Sequence, residues 1–193
     1  TDLPWINWQD VESVLDIGCG YGRLLDFLTF RKSYKGEYWG IDIMLDFVEK
    51  AIRTYASRSP EPKAQFIVGD FLEQTFEKNR FDVVISIGGL GVNCDYPSPF
   101  GEKSIEYAQR LISKIVSLSG TAISLYFPNV DNIDVAKRKP RMAYYQTSEI
   151  EAMLLDACGK RCKEMTFVSY PDKNNVKTIA LVKLSKDNGR SLF

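Results

Sequence analysis

Three glycines at alternating positions, Gly18, Gly20 and Gly22, follow an acid, Asp16, in the stretch VLDIGCGYG from Val14 to Gly22. A loop with so few side chains lets a ligand touch the backbone directly, with Cys19 and Tyr21 as its immediate neighbours. The loop amides and the N-terminus of a following helix are expected to face that ligand. Before the loop, Val14, Leu15 and Ile17 read as a buried strand; after it, Arg23 to Arg31 reads as an amphipathic helix. A strand turning sharply into a helix this way implies a nucleotide-like ligand across the carboxyl end of a parallel sheet.

The spacing narrows the ligand. Dinucleotide sites use G-x-G-x-x-G, with the pyrophosphate at the helix N-terminus. Here the third glycine comes one residue early and Arg23 occupies the place of the fingerprint glycine. Asp16 would repel a diphosphate but favours a sulfonium or an amino group. The arrangement resembles the first motif of the class I S-adenosylmethionine (SAM) methyltransferases, an acid followed by G-x-G-x-G.

Later strand ends extend the resemblance. Glu37 to Ile41 reads as a second strand ending at Asp42, 22 residues past Gly20, where an acid accepts both ribose hydroxyls; Ile43 follows it. A third strand, Gln65 to Val68, leads to Gly69-Asp70-Phe71. In the methyltransferases an acid at that point faces the adenine amino group and its neighbour lies along the ring. A fourth strand, Phe81 to Ile85, leads into Ser86-Ile87-Gly88-Gly89, beside the place of reaction. The resemblance thus implies SAM as cofactor, held by Asp16, the Gly18–Gly22 loop, Asp42 with Ile43, Asp70 with Phe71, and Ile87 with Gly88. Structural explanations compete at single positions. Asp42 or Asp70 could be helix N-caps, Asp16 in an apolar strand would need a buried partner, and Gly88, Gly89 and Gly91 could simply relieve crowding.

Composition sets the outer limits. At 193 residues the chain suits one domain and is short for two. Zero net charge gives no overall pull toward nucleic acid or an anionic membrane. No membrane-spanning run or secretory signal is evident, and a cytoplasmic location is expected. The chain opens on Thr1, leaving room for residues upstream. Its four cysteines form no C-x-x-C pair, and Cys158-x-x-x-Cys162 finds no histidine to complete a metal site, so free thiols and no metal are expected.

The rest of the chain continues one α/β alternation. Helices are expected over Met44 to Tyr55 and over Lys103 to Leu118, the latter with Ile105, Ala108, Leu111, Ile112 and Ile115 on one face. A fifth strand spans Thr121 to Phe127. Thr147 reads as the N-cap of a helix from Ser148 to Cys158, with Ile150, Leu154 and Leu155 inward. Strands near Lys163 to Tyr170 and Val176 to Leu184 flank a turn at Pro171 to Asn174. The resemblance, covering Val14 to Leu184, implies a three-layer α/β/α Rossmann-like sandwich whose seven-stranded sheet is mostly parallel, the last strand antiparallel beside the fifth. One domain is expected over 1–193, with a core at 13–185, an N-terminal segment at 1–12 and a substrate-side insert at 128–146.

Acceptor specificity must come from segments outside this frame. Thr1 to Asp10, with Trp5, Ile6 and Trp8, either covers the cofactor or packs on the sheet. The glycine- and proline-rich loop Gly88 to Gly101 is shaped rather than helical. The insert carries Lys137, Arg138, Lys139 and Arg141 ahead of Tyr144-Tyr145, a basic, aromatic stretch able to hold a phosphate or anionic sugar or simply to lie in solvent. Methyl transfer needs placement, desolvation and at most removal of one proton. With no histidine, the base candidates are Asp95, Glu102, Asp131, Tyr144 and Tyr145, of which Asp95, Tyr144 and Tyr145 are the choice. Asn93-Cys94-Asp95-Tyr96 lacks the prolines of the N/D-P-P-Y/F motif of amino-group methyltransferases. Gly88, Asn93 and Tyr144-Tyr145 resemble a looser group of small bacterial methyltransferases, several acting on sugars or other metabolites. That resemblance points to an oxygen nucleophile on a small-molecule substrate. The rival readings are a nucleic-acid or protein methyltransferase, the former using Lys137 to Arg141 on phosphates, and a catalytically silent partner subunit of the same fold. Oligomeric state stays open.

Overall fold

Strand β1 (Ser13–Ile17) is buried along its whole length, so a near-continuous apolar run rather than alternation marks it as a central strand covered on both faces. The computed structural model describes residues 3–56, 63–95, 103–131, 138–171 and 176–185. The other elements are, in order, α1 (Arg23–Lys32), β2 (Glu37–Asp42), α2 (Leu45–Tyr55), β3 (Ala64–Val68), β4 (Phe81–Ser86), α3 (Ser104–Leu118), β5 (Ser119–Asn129), α4 (Thr147–Cys158), β6 (Cys162–Pro171) and β7 (Val176–Leu184). Short 3-10 turns, Phe71–Glu73 and Gly89–Gly91, follow β3 and β4.

The sheet order is β3-β2-β1-β4-β5-β7-β6. β1 to β5 run parallel, and β7 lies antiparallel between β5 and β6. Period-2 alternation sends successive side chains to opposite faces. Val14, Val83 and Ile85 join Leu24, Leu25 and Leu28 of α1 in one core, while Leu15, Ile17 and Val84 join the apolar stripes of α3 and α4 in the other. The expected three-layer sandwich is thereby formed.

Three details of the sequence reading change. Ile105 and Leu155 face outward, 37% and 49% exposed, because the α3 stripe runs through Ala108, Leu111, Ile112 and Ile115 and that of α4 through Ile150 and Leu154. Thr147 is the first residue of α4 rather than its cap; Gln146 precedes the helix and donates its amide to the Glu149 carboxylate at 2.7 Å. β5 continues past Phe127 to Asn129, absorbing the first two residues of the expected insert. Of the turn expected at Pro171 to Asn174, Pro171 ends β6, and residues 172–174 lie outside the described residues, as do Glu102 and Lys137.

From Leu3 onward the N-terminal segment packs on the sheet. Leu3 and Trp8 are buried with α1 and β1, and the Trp8 ring meets Tyr34 edge-on with centroids 6.4 Å apart. Tyr34, three residues before the start of β2, hydrogen-bonds the Glu37 carbonyl, so Trp8 lies at the amino end of the sheet, opposite the glycine loop.

Candidate cofactor and acceptor site

The glycine loop is hung on β2. The amides of Gly18 and Cys19 both donate to the Ile41 carbonyl, at 2.8 and 3.1 Å, and that of Gly20 donates to Asp42 Oδ2 at 2.8 Å. Gly22 N closes back on Cys19 O at 2.9 Å. These four amides are therefore committed within the protein and do not face a ligand, contrary to the expectation from sequence. What the loop offers is close main-chain approach. A Cβ on Gly18 would lie 3.5 Å from Gly88, whereas at Gly20 and Gly88 it would enter open space. Gly22, at φ 76°, turns the chain into α1 with its carbonyl held by the Tyr55 hydroxyl at 2.8 Å.

Beneath this loop Asp16 is almost fully buried. Its Oδ2 accepts from the Tyr38 hydroxyl at 2.5 Å; its Oδ1 has no protein partner among the described residues. Burial pushes its carboxyl up to about 7, the Tyr38 hydrogen bond opposes the rise and the Asp42 charge adds to it. Cys19 is also buried, and burial with the carboxylates of Asp16 and Asp42 raises its thiol well above the usual range, so it remains protonated. Asp42 joins two segments, since its Oδ1 accepts from Met44 N at 2.9 Å while Oδ2 holds Gly20. Each oxygen retains a lone pair for a diol. Ile43 beyond it is 69% exposed, an apolar shelf at the carboxyl edge, and Ile87 after β4 is likewise exposed. Tyr21 turns toward α2, its ring 4.6 Å from Phe47 and covered by the Lys50 ammonium.

After β3, Asp70 caps the following 3-10 turn by accepting from Leu72 N at 2.8 Å. The structural reading of Asp70 therefore holds, and one of its oxygens stays uncommitted within that cap. Phe71 does not lie open to a ligand: its ring is buried in the larger core beneath Lys114, so only its main-chain amide, first in the turn, can serve.

The acceptor side is made by two loops meeting. Val92 bridges Met142, Ala143 N donates to Gly91 O at 3.3 Å, and Asn93 Nδ2 donates to Pro140 O at 2.6 Å. The hollow between them has a volume of about 290 Å³ and brings together Asn93, Asp95, Ser104, Arg138, Lys139 and Tyr144. Asp95 accepts from Ser104 N through Oδ2 at 3.3 Å, and the Tyr144 hydroxyl accepts from Lys139 N at 3.0 Å. Tyr145 is not in this hollow. It is buried, donates to the Ser104 carbonyl at 3.1 Å, and burial raises its phenol, so it joins two elements and cannot act as a base. Asp131 is withdrawn as well: its Oδ2 accepts from the Thr147 amide and hydroxyl at 3.0 and 2.6 Å, and those bonds lower its carboxyl.

Three side chains that hold this region together escaped the sequence reading. Tyr38, partner of Asp16, carries no local signal. Asn129 is buried at the end of β5, where its amide nitrogen donates to Thr147 and Thr178 hydroxyls at 2.8 and 3.0 Å and its oxygen accepts from Asp131 N at 2.7 Å. Lys114 flanks the apolar stripe of α3, where a lysine reads as an ordinary solvent-side residue and gives no sequence signal.

Comparison with known proteins accords with this geometry. A 2-phytyl-1,4-naphtoquinone methyltransferase of Trichormus variabilis is 27% identical over 100 residues, covering 52% of this chain and 44% of the relative. A chloroplastic tocopherol O-methyltransferase of Arabidopsis thaliana is 33% identical over 79 residues, 41% of this chain and 22% of the relative. The chain spans less than half the length of these curated relatives. In fold it is similar to the SAM-bound magnesium protoporphyrin IX methyltransferase of Synechocystis PCC 6803, with a TM-score of 0.65 at 20% identity over 90% of this chain and 70% of that one. The methyltransferase-domain family profile matches residues 14–114, which include the glycine loop, Asp42, Asp70 and the β4 loop; the chain belongs to that family.

Proposed function

We propose that the chain binds SAM across the carboxyl ends of β1 to β4 and transfers its methyl group to an oxygen nucleophile on a small molecule, a sugar or another metabolite. The observation that carries this reading is the state of the glycine loop. Its amides at Gly18, Cys19, Gly20 and Gly22 are spent on β2 and on the loop itself, which removes four of the donors a diphosphate would use. The Asp42 carboxylate gives the same place a negative charge, and the buried Asp16 Oδ1, without a protein partner among the described residues, adds a further acceptor. Such a site disfavours a dinucleotide and suits a cationic ligand with a ribose.

Bound SAM supplies an already activated methyl group, so the protein's task is placement. Asp42 is suited to the ribose diol, Asp16 to the cationic end, and Asp70 with the Phe71 amide to the adenine edge. Gly18, Gly20 and Gly88 leave room for close approach. On the acceptor side, Asp95 Oδ1 is available to take the hydroxyl proton while Oδ2 stays on Ser104 N, and Tyr144 orients the acceptor.

Calorimetric titration with SAM, S-adenosylhomocysteine (SAH) and NADH tests the cofactor. Micromolar binding of both adenosyl ligands without NADH is the expected result; NADH binding alone would overturn it. Acceptors are then screened with labelled SAM, comparing hydroxylated compounds with their amino analogues.

A further inference from the structure

The 3-10 turn Phe71–Glu73 is held from the far side by one cation. Lys114 Nζ, on α3, donates to the carbonyls of Phe71, Leu72 and Gln74 at 2.6, 2.8 and 2.5 Å, using all three of its N–H groups. Its ammonium also covers the Phe71 ring at 4.8 Å. In a helical turn the carbonyls point toward one end and the amides toward the other. A clamp on the carbonyl end therefore fixes the direction of the amide end, which carries Asp70 and the Phe71 amide. At that end Gly69 N is tied to Asp42 O at 3.0 Å, and Gln74 Nε2 closes on Asp70 O at 3.3 Å. The turn is thus fixed at one end to β2 and at the other to Lys114.

We propose that Lys114 is a positioning residue for the cofactor: by collecting the three carbonyls of the turn after β3, it holds Asp70 and the Phe71 amide in the orientation that reads the adenine. This rests on the cofactor reading above. Lys114 touches no ligand itself, and its influence passes through the turn. An apolar residue at 114 leaves three carbonyls without their charged donor, and the turn then opens toward water.

The test is calorimetry of the chain and of Lys114→Met with SAH and with adenosine. The expected result is an SAH affinity about tenfold or more weaker in the variant, as for lost charge-assisted hydrogen bonds. Adenosine, which lacks the amino-acid tail, should lose the same factor. Lys114→Arg, which keeps charge and donors, should regain most of the affinity, a rescue that general loosening of α3 would not produce. Lys114→Gln, with fewer donors on a similar stem, replaces the Met variant if that does not fold, and the same outcomes apply. Equal SAH affinity in the chain and in Lys114→Met or Lys114→Gln overturns the inference, as does a loss confined to SAH. Failure of the unsubstituted chain to bind SAH overturns the cofactor reading instead, and this inference falls with it.

Discussion

The loop after β1 and the loops after β4 and β5 lie at the same edge of the sheet but are built differently. The first is short and tied to its neighbour strand by three main-chain amides, at 2.8, 3.1 and 2.8 Å. The second region is assembled from long loops, joined by the Val92–Met142 bridge and the Asn93–Pro140 bond, with Asp95 accepting from Ser104 N within one loop and Tyr144 from Lys139 N within the other. The first resembles a fixed mould for a constant part; the second can change its lining without disturbing the sheet. On the function proposed above, the difference teaches where specificity would reside: the cofactor half is constrained by fold geometry, the acceptor half by loop composition.

The sharpest way to break the rigid half is Asp42→Ala. It removes the acceptor for both Gly20 N and Met44 N as well as the proposed diol contact, so SAH affinity should fall about 100-fold. Because the carboxylate also joins two segments, stability should fall by about 2 kcal/mol, measured by urea unfolding. Unaltered SAH affinity would remove Asp42 from the site. Next in size is Gly22→Ala. The added Cβ meets Tyr55 Cε2 at 2.7 Å at a φ of 76°, which should cost about 2 kcal/mol, whereas Gly88→Ala, entering open space, should leave unfolding unchanged.

A pH series sharpens the contrast further. The Asp16 carboxyl is raised from 3.8 to about 7 in the folded chain, so between those values the folded state binds the extra proton. Stability contributed by this group is therefore fullest at low pH and declines by about 1 kcal/mol per pH unit toward neutrality. Asp16→Asn should lack that decline in urea melts from pH 5 to 7; parallel curves for the two chains would refute it. The smallest effects should separate neighbours in the acceptor half. Tyr145→Phe should cost about 1 kcal/mol of stability through the lost bond to Ser104 with turnover retained, whereas Tyr144→Phe should lower turnover with stability retained.

Strand positions and the layer order were legible from the chain because apolar runs, period-2 alternation and the Gly18–Gly22 spacing are local signals. The polarity of the glycine loop was not. Whether Gly18 N and Cys19 N face a ligand or Ile41 O depends on how β2 registers against β1, a long-range fact. The same limit separates Tyr144 from Tyr145. Adjacent residues in an irregular segment differ by which one enters the core, and here the parallel bridge of Asn129 with Tyr145 decides it. Asp70 combined a cap and a candidate ligand in one side chain, so the two readings were never exclusive.

The placement of β7 between β5 and β6 has a consequence for how the chain is made. β6 leaves the ribosome first but has no partner in the sheet until β7 follows, since β7 is the strand it pairs with and lies between it and β5. Until Val176–Leu184 is available, β5 presents a bare edge that could recruit another chain. Pairing of β7 with β5 is a non-local step, of the kind that slows folding and lengthens exposure to aggregation.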